Sequence, residues 1–149
     1  MLVFEIPAMR CSKTQLRDIL FCIINTIYTH SFHDMSVKIK EYILFDTIVC
    51  HILDLPKLQN YISHKVNEII QKIKHRNTCR VNLSFYEDFF LSFCSCQPKP
   101  ILTKWKLIFD FTPTPQTKSI RTTLFELIST TEKQQSNFLT NNSKIICEV

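Results

Sequence analysis

The chain has 149 residues and no glycine, and this absence restricts what it can fold into more than any other feature of the sequence. Glycine lets the backbone adopt positive φ angles and approach a ligand closely, which phosphate-binding loops and dinucleotide-binding turns require. The sequence therefore argues against P-loop, Rossmann and kinase-type glycine loops. Where a helix ends in the left-handed conformation, we expect Asn77, Asn141 or Asn142 to take the place of glycine.

Composition indicates one intracellular domain. Hydrophobic residues make up 45% of the chain, enough for a core, and 18 basic residues are mixed with 13 acidic ones. That mixture differs from the single-sign charge of a dedicated nucleic-acid-binding protein. No apolar run approaches the roughly 18 residues that span a bilayer, and no signal-peptide pattern opens the chain, so we expect a soluble, cytoplasmic protein without stable membrane insertion. Seven scattered cysteines are then expected to be reduced thiols in the core.

Apolar residues at spacings of three and four predict the helices. The first covers about residues 13–30 and begins at a capping box formed by Ser12 and Gln15. The second is expected to be capped by Asp54, with Pro56 in its first turn. Its apolar stripe is the clearest in the sequence.

Strands are predicted from β-branched and alternating segments. Residues 42–53 indicate one strand, central in the sheet, and residues 80–86 indicate a strand with one wet face. The alternation returns around Trp105, and a third helix begins after residues 114–115. Residues 141–149 are a tail, either a short strand or disordered. The order of elements predicts an α+β fold with three helices on one face of a mainly antiparallel sheet.

No motif for catalysis or metal binding stands out. Cys94 and Cys96 form a lone Cys-x-Cys without the second ligand pair that a structural zinc site needs. A nucleophilic thiol or hydroxyl would need a histidine base held by a third group, and no such motif is recognisable. We therefore expect no metal, no cofactor and no enzyme activity.

A basic run at the end of the second helix leaves two interpretations open. It is either a solvated helix end or a contact for the phosphates of nucleic acid or of an anionic membrane. Its members are Lys72, Lys74, His75, Arg76 and Arg80.

An apolar loop lies between two predicted strands, with the sequence YEDFFLSFCSCQPKP over residues 86–100. Loops of this length without structure of their own are usually functional or disordered. Phe89 and Phe90 either pack back under the sheet or are exposed, whereas Leu91 and Phe93, nearer the tip, are candidates for binding a partner.

Several segments carry a resemblance to a known family. They are VFE near the N-terminus, TIYTH at the end of the first helix, DLPKL before the second, and LSFYED followed by the long loop and TKWKLIFDF. Over about residues 3–140 the chain resembles the autophagy-related protein 101 family, HORMA-domain subunits of the autophagy-initiation kinase complex.

The resemblance implies a single HORMA domain over residues 1–140 and a non-catalytic adaptor role at the preautophagosomal structure. The expected partner is the HORMA domain of autophagy-related protein 13, which members of the family bind and stabilise. In paired HORMA domains the third helix commonly contributes to the dimer contact. Arg121 and Phe125 lie off its inward stripe and are therefore candidate partner-binding residues, although Phe125 fits the core equally well.

This chain departs from the family at two places. Family members recruit downstream autophagy factors with an exposed Trp-x-Phe finger in the long loop, where this sequence has Phe93 and Ser95. Phe89, Phe90 and Leu91 are expected to supply the lost apolar contact. By comparison with the family we expect a shortened C-terminal region without the hairpin that forms the mobile safety belt of HORMA proteins, and hence an open-like domain that does not switch.

Overall fold

The computed structural model describes residues 2–31, 36–87, 101–114, 116–134 and 143–149. Within these residues the strands are β1 (Leu2–Glu5), β2 (Met9–Cys11), β3 (Ile39–Leu44), β4 (Ile48–Leu53), β5 (Thr78–Glu87), β6 (Ile101–Phe111) and β7 (Ser143–Glu148). The helices are α1 (Leu16–Ser31), α2 (Pro56–Ile73) and α3 (Thr117–Gln134), and a 3-10 turn, Lys13–Gln15, leads into α1.

The main sheet is mixed, in the order β1-β6-β5-β7, with β2 following β1 along the same edge of β6. Strands β5, β6 and β7 are antiparallel, while β1 and β2 run parallel to β6. Alternate residues of β5 (Val81, Leu83 and Phe85) are buried, whereas Arg80 on the opposite face is exposed. The predicted α+β class, with helices α1 to α3 and a largely antiparallel sheet, is confirmed.

The core lies between the sheet and α1. The ring of Trp105 on β6 stacks on Phe4 of β1 with centroids 4.3 Å apart, and Tyr28 of α1 meets Phe85 of β5 edge-on at 5.5 Å. Aromatic pairs in these geometries contribute about 0.5–1.5 kcal/mol beyond the area they bury. These two contacts join α1, β5, β6 and β1 into one layered core.

The start of the first helix agrees with its sequence pattern. The backbone N–H of Ser12 donates to Oε1 of Gln15 at 3.0 Å, and the Gln15 N–H donates to the Ser12 carbonyl at 3.1 Å. The reciprocal contact satisfies N–H groups that a helix start leaves without intrahelical acceptors.

Residues 42–53 do not form one central strand, so that prediction is wrong. They belong to a hairpin, β3–β4, which in the described residues is a sheet separate from the main one. Phe45 and Asp46 turn the chain with φ of 51° and 61°, and the Thr47 N–H donates to the Leu44 carbonyl at 3.3 Å. Two consecutive positive φ angles are typical of type I′ hairpin turns, which usually contain glycine or asparagine.

Of the three expected substitutes for glycine, the structure tests only Asn77. Asn77 is not among the described residues with positive φ, and Asn141 and Asn142 lie outside the described residues. The left-handed positions fall at Phe45 and Asp46 instead. Asp tolerates this conformation through local polar contacts, whereas Phe adopts it at a steric cost that the hairpin must offset.

The second helix begins one residue later than its predicted cap. Leu55 is the N-cap and Pro56 opens the helix. Asp54 does not cap it; its Oδ1 lies 3.1 Å from Nζ of Lys40 on β3 instead. The predicted apolar stripe is confirmed, because Leu58, Ile62, Val66, Ile69 and Ile73 are buried.

Strand β7 pairs with β5, and side chains from α1 and α2 hold its outer edge. The Tyr28 hydroxyl donates to the Ser143 carbonyl at 3.0 Å. The Tyr61 hydroxyl accepts from the Ile145 N–H at 2.8 Å and donates to the Ile145 carbonyl at 3.4 Å. Nζ of Lys72 lies 3.4 Å from the Cys147 carbonyl. Residues 143, 145 and 147 therefore have partners on the side away from β5.

Removing the Tyr61 hydroxyl is expected to destabilise the protein by loosening β7. Tyr61→Phe should cost about 1–2 kcal/mol, because the Ile145 N–H and carbonyl lose a partner in a partly buried site. Urea unfolding measures the loss, and amide hydrogen exchange at Ile145 should accelerate. Tyr42→Phe is the matched control, since no hydrogen bond to the Tyr42 hydroxyl is found within the described residues. Equal losses in the two variants would contradict the role assigned to Tyr61.

Candidate functional site

Helix α3 presents one apolar face to the core and a second, mixed face to solvent. Ile120, Leu124 and Leu127 are buried, as its helical spacing predicts. Phe125 is 69% exposed, more than any other large hydrophobic side chain among the described residues. The structure therefore places Phe125 outside the core, on the face where Arg121 also lies.

Arg121 links α3 to the hairpin. Its Nη2 donates to the carbonyl of Thr47, in the β3–β4 turn, at 3.4 Å. Phe125 follows Arg121 by four residues and so lies one turn further along the same side of the helix. The contact brings the exposed side of α3 next to the hairpin.

The hairpin carries its own exposed apolar residues beside this turn. Ile43 and Val49 are directly paired across the hairpin and are 61% and 51% exposed. The opposite face of the hairpin holds the buried residues Leu44, Ile48 and Cys50. The period of two along each strand thus divides the hairpin into a core face and a solvent face.

We define the α3–hairpin surface as Arg121, Phe125, Thr47, Ile43 and Val49. It combines two aliphatic side chains with an aromatic side chain and a guanidinium group, and the last two are enriched at protein–protein contacts. Phe125, Ile43 and Val49 are each exposed, and the bond from Arg121 to Thr47 joins the two elements that carry them. Exposed large apolar side chains indicate a place for a partner to bind.

Sequence reasoning found two of the five residues of this surface. The helical phase of α3 identified Arg121 and Phe125. Ile43 and Val49 were missed because residues 42–53 were assigned to a central strand. The signal that could have found them is Asp46-Thr47, a polar pair inside an otherwise apolar run. The other candidate partner-binding residues, Phe89, Phe90, Leu91 and Phe93, lie outside the described residues.

The described thiols are not arranged as an exposed nucleophile. Burial raises the pKa of Cys11 to about 12 and the pKa values of Cys79 and Cys147 to about 11. Cys22 and Cys50 face each other between α1 and β4. Their hydrogen bond raises the pKa of Cys22, together with burial, and lowers the pKa of Cys50. Cys50 is only 5% exposed, so the thiol with the lowered pKa is shielded from solvent.

No metal-binding cluster of three or more histidine, cysteine or acidic side chains occurs in the described ranges. Cys94 and Cys96, the pair considered from sequence, lie outside those ranges. None of the helices that the structure describes has the combination of length and apolarity needed to cross a bilayer.

The basic run does not form a uniform cationic surface. Lys72 is near the Cys147 carbonyl, as described above. Arg76 and Arg80 line an open cavity of about 360 Å³ that also contains Asp110. A carboxylate beside the two guanidinium groups weakens the attraction of this cavity for phosphate. The basic run therefore supports phosphate binding less well than the α3–hairpin surface supports protein binding.

Burial of the thiols predicts that stability falls in alkaline solution. A solvated cysteine has a pKa of 9.0, and folding raises the pKa values of Cys11, Cys79 and Cys147 to about 11–12. As pH rises from 9 toward 11, the unfolded chain releases protons that the folded chain keeps, so unfolding becomes more favourable. The urea midpoint should decline over this window and decline less steeply in Cys147→Ala. Parallel declines in the variant and the wild type would contradict a contribution from Cys147.

Comparisons with models of known protein families and with curated proteins find no match for this chain.

Proposed function

We propose that the chain is a HORMA-type adaptor of the autophagy-initiation complex that pairs, through the α3–hairpin surface, with the HORMA domain of autophagy-related protein 13 and stabilises it. The observation that carries the proposal is the exposed ring of Phe125, on the helix that the resemblance assigns to the dimer contact. In this role the protein is not an enzyme. It acts in the cytoplasm, at the preautophagosomal structure.

The architecture is compatible with this proposal. Helices α1, α2 and α3 back one face of a mixed sheet, and the α1–α2 connection contains a hairpin that reaches α3. Of the five described thiols, four are buried and that of Cys147 is partly buried, so a binding role accounts for the exposed groups better than thiol chemistry does. The mixed charge of the chain suits a protein partner better than a polyanion.

The energetics favour Phe125 as the central contact. Fully burying a phenylalanine side chain contributes about 1.5–3 kcal/mol, and a few buried aromatic and arginine residues usually dominate an interface. Arg121 remains able to bind the Thr47 carbonyl while its other guanidinium N–H groups contact a carboxylate or carbonyl of the partner. Ile43 and Val49 would then exclude water from one side of the contact.

Phe125→Asp is expected to weaken pairing with the HORMA domain of autophagy-related protein 13 by roughly tenfold to a hundredfold, because it replaces an apolar anchor by a charge. Isothermal titration calorimetry measures the affinity, and a circular-dichroism melt should be unchanged, since Phe125 is exposed. Val3→Asp is the matched control: Val3 is an exposed apolar residue on β1 that does not belong to the α3–hairpin surface, and its substitution should leave affinity unchanged.

Charge reversal at Arg121, one helical turn before Phe125, is a second test of whether the α3–hairpin surface binds the partner. Arg121→Glu should also lower the affinity. Its melting temperature should fall by no more than the loss of one exposed hydrogen bond explains. Unchanged affinity in both variants would remove α3 from the interface and overturn this form of the proposal.

The long loop provides a test of downstream recruitment, because it occupies the finger position of the resembled family. We expect Leu91→Asp combined with Phe93→Asp to leave folding and pairing intact and to reduce recruitment of later autophagy factors in cells. Fluorescence counting of preautophagosomal assemblies measures the effect. Normal autophagic flux in a folded, paired double variant would show that this protein lacks the finger function.

A further inference from the structure

Side chains occupy several of the exposed strand edges. The edge of β7 is held by Tyr28, Tyr61 and Lys72, as described above. The edge of β4 that faces away from β3 is held in the same way. Thr29 Oγ1 donates to the His51 carbonyl at 3.1 Å, and Gln59 Nε2 donates to the Leu53 carbonyl at 2.7 Å.

The N-terminal edge of the main sheet is protected by other means. On β2, the Arg10 N–H donates to Oγ of Ser119 on α3 at 3.4 Å. Strand β1 is only four residues long, and Pro7 follows shortly after it. Short edge strands and prolines are common means of preventing further strands from pairing.

The outer edge of β3 differs from these edges. The Asp54 N–H donates to the Lys38 carbonyl at 2.8 Å, immediately before β3. Because backbone groups alternate in direction along a strand, the even-numbered residues of β3 direct theirs toward β4. Ile39, Glu41 and Ile43 therefore direct their N–H and carbonyl groups away from the hairpin. Within the described residues, no hydrogen bond reaches these six groups.

The side chains along this edge form a simple pattern. Ile39 and Ile43 are 55% and 61% exposed, and Glu41, also exposed, lies between them on the same face. A strand added beside β3 would find backbone partners at alternate residues and an apolar-acidic-apolar row of side chains. Such edges bind extended peptides, with main-chain bonds supplying affinity and side chains supplying specificity.

We propose that the outer edge of β3 is a docking site for an extended segment of a partner protein. The segment has a lysine or arginine at its centre and an apolar residue two positions before it and two positions after it. The basic side chain would lie opposite Glu41 and the apolar side chains opposite Ile39 and Ile43. This site shares Ile43 with the α3–hairpin surface, but it uses the backbone edge of β3 and requires neither Arg121 nor Phe125.

A second copy of this chain fits the edge poorly. Two copies could pair their β3 strands antiparallel about a twofold axis, with Ile39 of each copy opposite Ile43 of the other. In that register the two Glu41 side chains lie directly opposite each other. Like charges directly opposite across a strand pair are destabilising. A basic residue in a different partner removes this repulsion and replaces it with attraction.

The test uses the full chain labelled with nitrogen-15 and an acetylated, amidated peptide, Thr-Val-Thr-Lys-Thr-Val-Thr. The peptide should shift the amide resonances of Ile39, Glu41 and Ile43 and slow their hydrogen exchange. A peptide with glutamate in place of lysine should bind roughly three- to tenfold more weakly, as expected for reversing one cross-strand charge pair. N-methylation of alternate peptide amides should abolish the response.

Glu41→Lys should reverse the preference between the two peptides, and Phe125→Asp should leave it unchanged. If Glu41→Lys does not fold, the two peptides and the N-methylated peptide on the wild-type chain still decide the question. The proposal is overturned if millimolar peptide leaves the three amides unchanged, if the shifts map to another strand, or if the N-methylated peptide binds equally well. None of these outcomes depends on pairing with another HORMA domain, so this test and that of the proposed function can fail separately.

Discussion

The burial of α1 is the constraint on which the rest of the molecule depends. This helix is apolar around most of its circumference and packs against α2, α3 and the hairpin. Among its buried polar residues, Asn25 is satisfied, because Nδ2 donates to the Phe21 carbonyl at 3.0 Å and Oδ1 accepts from Gln59 Nε2 at 2.8 Å. Gln59 also bonds the Leu53 carbonyl, so one network ties α1 to α2 and β4. A helix buried in this way fixes the position of everything packed on it.

The positions of α3 and the hairpin follow from that packing. Both lie on α1 and meet each other through Arg121 and Thr47. Because each presents only one apolar face to α1, their remaining apolar residues, Phe125 on the helix and Ile43 and Val49 on the hairpin, have no internal surface to cover them. The exposed surface is thus a consequence of how the core is filled.

How far the sequence predicts this structure depends on how far apart in the sequence the interacting residues are. Helical periodicity correctly located α1, α2 and α3 and the outward position of Arg121, because it reflects contacts three and four residues apart. The hairpin was missed because its turn uses Phe45 and Asp46 instead of an Asn-Gly pair. Asp54 was misjudged as a cap because its carboxylate binds Lys40, on a strand whose position the local pattern does not reveal.

The hydrogen bonds that hold β7 have a consequence for synthesis of the chain. Tyr28 and Tyr61 are made long before Ser143–Glu148, and β5 is complete well before the strand that pairs with it. Ribosomes add about 5–20 residues per second, so the β7-facing edge of β5 waits seconds for its partner strand on every nascent chain. Such non-local strand pairing is intrinsically slow. The nascent protein therefore passes through a stage in which the edge of β5 is open to pairing with another chain, and aggregation during synthesis competes with completion of the sheet.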